Sequence, residues 1–112
     1  MKIVQSPISI DELRQIAAKT FGDMVKIVVD LEKGIMAAGG ELHADEEAIL
    51  LDHGSKQNDL WGANIYINEP RDSWLVYDSM INLRPSQGNL LRTVQSSEIR
   101  DKITQVVNKL IQ

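Results

Sequence analysis

The stretch YDSMINLRPSQGN, residues 77–89, gathers Asp78, Asn82, Arg84, Gln87 and Asn89. A guanidinium fork matches a carboxylate or phosphate, and Gly88 and Asn89 tolerate the backbone angles that turn N–H groups toward an anion. Arg84 with this loop could therefore form an anion pocket. A second reading has Arg84 paired with Asp78, Glu98 or Asp101, so that it only braces the loop. Asn64, expected opposite Asp78 on the preceding strand, joins Asn82, Arg84, Gln87 and Asn89 as a candidate ligand-binding group.

Other spacings suggest other chemistry. His43, Asp45 and Glu47 stand at i, i+2 and i+4, which on an extended segment puts one nitrogen and two carboxylates on one side, a donor set for a divalent metal. That side would also carry Ile49 and Leu51, so a surface loop leading into a strand is the competing account and no metal is expected. His43, Asp78 and Arg84 could serve a small hydrolase as acid–base and anion-binding groups. Ser79 is expected on the core face, which leaves a Ser-His-Asp arrangement little support. The absence of cysteine removes disulfides, thiolate nucleophiles and sulfur-bound zinc.

These residues need elements to hold them. MKIV, through Ile3 and Val4, suggests a first strand, ended by Pro7. Ser9 and Glu12 make a capping box for a helix over 10–21, closed by Gly22. MVKIVVDL alternates like a strand, with EKG as its turn. At 100° per residue, however, Met24, Ile27, Val28, Leu31, Ile35 and Ala38 share an arc, and the reading here is a helix over 24–38. AILLD (48–52) reads as a short buried strand, LWGANIYI (60–67) as its hairpin partner, and WLVYDSMINLR (74–84) as a third strand ended by Pro85. Ser96 or Ser97 opens a last helix with Ile99, Ile103, Val106, Val107 and Leu110 on one face. The order is β-α-α-β-β-β-α, one α+β domain over residues 1–112 with helices against a mostly antiparallel sheet.

The strands 60–67 and 74–84 have two unlike faces. Trp61, Ala63, Ile65 and Ile67 match Leu75, Tyr77, Ser79, Ile81 and Leu83 as the core face. Leu60, Tyr66, Trp74, Val76 and Met80 are too apolar to face water freely, yet they share their side with Asp78, Asn82 and Arg84. The last helix, a second copy of the chain or a ligand should cover that side, and a homodimer contact through those five apolar residues is expected. Hairpin partners should sum to an even number, with 142 preferred.

Composition narrows the class. A chain of 112 residues with 43% hydrophobic and 25% charged residues fits one ordinary core. Net charge is −4, and residues 41–59 carry Glu41, Asp45, Glu46, Glu47, Asp52 and Asp59 against Lys56 alone. No basic stripe accompanies Trp61 and Trp74, so nucleic acid is a disfavoured partner. No signal-like or membrane-spanning run is visible, and a cytoplasmic location is expected. No cofactor is implied.

At GGELHADEE, GSKQNDLWGANIY and DSMINLRPSQGN the chain resembles an uncharacterised family of small bacterial proteins, a domain of unknown function. The resemblance spans nearly the whole chain and implies no activity. The element order is similar to that of RelE and ParE toxins, a likeness of fold alone. Those of them that cleave RNA are typically basic, and the acidic balance here departs from that. The leading expectation is a small interaction or ligand-binding module, homodimeric, with a small anionic ligand or a protein as partner. The alternative is a small hydrolase or toxin-like ribonuclease using His43, Asp78 and Arg84.

Overall fold

Val25, Ile27 and Val29 point to one side of a strand and Met24, Lys26, Val28 and Asp30 to the other, and the fold covers both sides. The computed structural model describes residues 1–112. Its centre is a five-stranded antiparallel sheet in the order β1-β3-β2-β4-β5, built from β1 (Lys2–Val4), β2 (Met24–Asp30), β3 (Ile35–Ala38), β4 (Leu60–Tyr66) and β5 (Leu75–Val76). Three helices pack on it: α1 (Ile10–Ala18), α2 (His43–Asp52) and α3 (Ser97–Leu110). The expected α+β class with a mostly antiparallel sheet holds. None of the helices is long and apolar enough to cross a membrane.

One face of the sheet carries the main core. Val4, Val25, Ile27, Val29, Met36, Ala38, Trp61, Ala63 and Ile65 meet Leu13 and Ala17 of α1 and Ile103, Val107 and Leu110 of α3. The helix starts are the ones expected: Ser9 Oγ accepts from the Glu12 N–H at 3.0 Å and Ser96 Oγ from the Ile99 N–H at 3.2 Å. On the other face a smaller core of Val28, Ile35, Ala37, Leu50 and Leu60 lies under α2.

Two segments differ in type from the expectation. Residues 24–38 are not a helix but the β2–β3 hairpin, whose pairs run from Ile27↔Ala38 to Asp30↔Ile35. Burial of both sheet faces gives a near-continuous apolar run, which a helical wheel fits as easily as a strand. Asp30 fixes the turn, since its Oδ1 accepts the N–H groups of Glu32 and Lys33 at 2.9 Å each, and Gly34 takes φ +65°. Residues 48–52 are the end of α2 rather than a strand. With α2 on that face, Leu60 on the second side of β4 is covered from within the chain, and not by α3.

The third expected strand is mostly not strand. Only Leu75–Val76 pairs with β4, and the chain then bends into a single 3-10 turn at Met80–Asn82. The register Asn64↔Val76 and Ile65↔Leu75 has an even sum, but that sum is 140 rather than 142. The two-face split holds for Leu75 and Tyr77 on the main-core side and fails at the ends, where Trp74 joins the main core and Ile81 packs on the smaller one. Gly62 explains the bend's place against β4. A Cβ there would lie 2.6 Å from Ser79 Cβ, closer than real contacts allow.

Candidate functional site

Arg84 is fully occupied within its own chain. Its Nε donates to Ile81 O at 3.0 Å, Nη1 to Gln57 O at 2.9 Å and to Gln87 Oε1 at 3.1 Å, and Nη2 to Leu60 O. Glu47 Oε2 lies 3.5 Å from Nη2, and the guanidinium stacks on Trp61 at 4.9 Å from the ring centroid. The hydrogen bonds use four of the five donors of a guanidinium, and Glu47 adds an ion pair. Arg84 is therefore a brace, and the carboxylate beside it is Glu47, not Asp78, Glu98 or Asp101. Burial draws its pKa down and Glu47 opposes the shift.

The amides of the same stretch are also structural. Asn82 is fully buried, with Oδ1 accepting the Gly62 N–H at 2.8 Å and Nδ2 donating to Gly62 O at 2.9 Å, so one side chain stands in for a neighbouring strand along β4. Asn89 Nδ2 donates to the carbonyls of Asn82, Leu91 and Thr93, and Oδ1 accepts the Gln95 N–H. Gln87, exposed, bridges Arg84 and Asn58 O. Loop 82–95 is tied by these side chains, and their polar groups are consumed in holding it.

Other expected groupings are separated. Helix α2 turns residues two apart about 200° from each other, so His43 and Asp45 point in different directions. No three His, Asp or Glu side chains gather where a metal could be held. Leu60 is sealed under α2, Trp74 is 3% exposed in the main core, Tyr66 is half-buried, and only Val76 and Met80 are widely open. The five apolar residues therefore do not form one contact surface. Ser79 Oγ accepts the Ile81 N–H and abuts Gly62, and no hydrogen bond joins it to His43 or Asp78.

What the fold does bring together is a cavity of about 330 Å³ between the start of α2, β2, β4 and residues 78–81. Lys26, Leu42, His43, Ala44, Asn64, Asp78, Ser79, Met80, Ile81 and Arg92 line it. Four of the expected site residues, His43, Asn64, Asp78 and Met80, meet there. Lys26 and Arg92 were not foreseen: Lys26 was placed on the polar side of a helix that does not exist, and Arg92 lay beyond the strand. None of Lys26, Asp78 and Arg92 belongs to an ion pair. Lys26 has only the Phe21 ring, 5.5 Å away.

Helix α2 opens into this cavity without a cap. Its N-cap is Leu42, which has no side-chain oxygen to offer the first N–H groups, and Leu42, His43 and Ala44 all line the space. His43 Nε2 lies 2.9 Å from Ala63 O. A carbonyl can only accept, so Nε2 carries the proton and the neutral ring keeps a bare Nδ1. Burial is the main cause that holds the His43 pKa below its usual range, and nearby Lys26 adds to it; Ala63 O, Asn64 and Asp78 oppose it. A larger cleft of about 480 Å³ between α1 and the β1 edge contains the paired Lys2 and Glu12 and no sealed, unpartnered group.

The chain matches, over residues 2–110, the family described as Protein of unknown function (DUF5674), and it belongs to that family. No curated protein and no solved structure matches it.

Proposed function

We propose that this chain is a ligand-binding module whose site is the cavity at the start of α2, and that its ligand is a small oxyanion or a molecule bearing one. One observation carries the reading: an uncapped helix N-terminus opens into the same half-open cavity as two cations, Lys26 and Arg92, that have no carboxylate partner. Free N–H groups and the positive end of the helix dipole favour an anion, and the two cations add point charges. Leu42 and Met80, 60% and 63% exposed, stand among the lining residues and offer apolar contact to the rest of the ligand. Asp78 opposes a dianion and favours a ligand that also has a donor to give it. Sulfate or phosphate, compared with chloride at equal ionic strength, should raise the melting temperature by mass action, and Lys26→Gln with Arg92→Gln should remove the rise. A melting temperature indifferent to the anion contradicts the proposal.

Self-association remains a second reading, supported by the open side chains of Met80, Leu83, Leu90 and Leu91 along one loop region. It differs from the expected dimer because Leu60 and Trp74 take no part.

A further inference from the structure

Two residues that line the cavity, His43 and Asn64, each keep an acceptor without a partner. Asn64 is 8% exposed, its Nδ2 donates to Asp78 O at 3.1 Å, and its Oδ1 is sealed from solvent with no partner. His43 Nε2 is committed to Ala63 O, which leaves Nδ1 as the free position on the ring. In the neutral ring Nδ1 is itself an acceptor, and a second proton would turn it into a donor. Flipping the Asn64 amide would set Oδ1 against Asp78 O, so its orientation is fixed.

We infer that an oxyanion entering this cavity is bound together with one proton, taken from solvent onto His43 Nδ1. Coupling presupposes that the cavity is the anion site. The charged groups around the ring explain why the proton waits for the anion. Lys26 of β2 repels an imidazolium, and Arg92 adds a second positive charge to the cavity; Asp78 favours it. On α2 itself Glu46 is held neutral and Glu47 lies against Arg84, so neither offsets the cations. An anion between Lys26 and Arg92 cancels the repulsion and raises the pKa of His43. By reciprocity the anion then binds more tightly as pH falls through the window between the free and bound pKa values.

Sulfate is the suitable probe, because it does not titrate in this range. Following both histidines by NMR across pH, with and without sulfate, should show the His43 midpoint rising while that of exposed His53 stays put. The sulfate Kd should tighten by about tenfold for each unit of that rise. Sulfate that moves the Ala44 and Arg92 resonances while leaving the His43 midpoint fixed and the Kd flat with pH would overturn the coupling alone. The absence of any response to sulfate overturns both the coupling and the anion site.

Discussion

Replacing Glu46 by glutamine should stabilise the protein at neutral pH. Glu46 is fully buried on α2, its Oε2 accepts the Gly40 N–H at 3.0 Å, and its Oε1 is sealed with no partner. Burial pushes its pKa from 4.5 up to about 9, against the opposing pull of the Gly40 N–H, Lys26 and the N-terminal ammonium. In the unfolded chain the carboxyl ionises near 4.5, whereas in the folded chain it stays protonated, so stability falls as pH rises from 4.5 toward 9. Each unit costs about 1.4 kcal/mol, which over the interval from 4.5 to neutrality makes roughly 3 kcal/mol. Glutamine has nearly the same shape, keeps an acceptor for Gly40 and never ionises. Urea unfolding should show Glu46→Gln more stable than wild type by up to about 3 kcal/mol near pH 7, with the gap closing toward pH 4.5. A variant less stable than wild type at neutral pH, or a gap that does not change with pH, refutes the reasoning. The same neutrality leaves the charge of Lys26 uncancelled by Glu46, free to act in the cavity.

Arg84→Ala should destabilise by about 3–5 kcal/mol in urea unfolding, since it leaves Glu47 beside unpaired carbonyls, yet it should leave sulfate binding intact in the folded fraction. A normal stability with lost binding would return Arg84 to the site. Gly62→Ala forces a methyl into Ser79 and should cost about 1–3 kcal/mol or more, with amide shifts concentrated at residues 79–82; an unchanged midpoint contradicts the close approach. Met80→Asp lies on the open surface and should change stability by no more than about 0.5 kcal/mol. If light scattering finds an oligomer in the wild type, that substitution should break it, and a persistent oligomer removes this rim as the contact.

The parts legible in the sequence were those whose pattern is local. Ser9 and Ser96 mark α1 and α3 because a side-chain cap acts within one turn, and the even register of β4 with β5 follows from the alternation of Trp61, Ala63 and Ile65 against Asn64 and Gly62. Helix α2 stayed hidden because the residues it buries are His43, Glu46 and Leu50, so its inner face is only partly apolar and its N-cap is a leucine. Misreading 24–38 followed from the missing α2, since Lys26 and Asp30 look misplaced on a strand until a helix covers that face. For the site, His43, Asn64 and Asp78 drew notice by residue type, whereas Lys26 and Arg92 enter only through the packing of β2 and the loop return at 92–94. Arg84 drew notice for the same chemistry that makes it a good brace: donors in a fixed fork suit protein carbonyls as well as they suit a phosphate.

The most direct test of the anion site is a sulfate titration of ¹⁵N-labelled protein. Saturable shifts should centre on the amides of His43, Ala44 and Asp45 at the start of α2 and on Lys26 and Arg92, with the Arg84 side chain unmoved, and Lys26→Gln with Arg92→Gln should abolish them. Shifts centred instead on residues 84–89, or no saturable shift at the start of α2, would contradict the account.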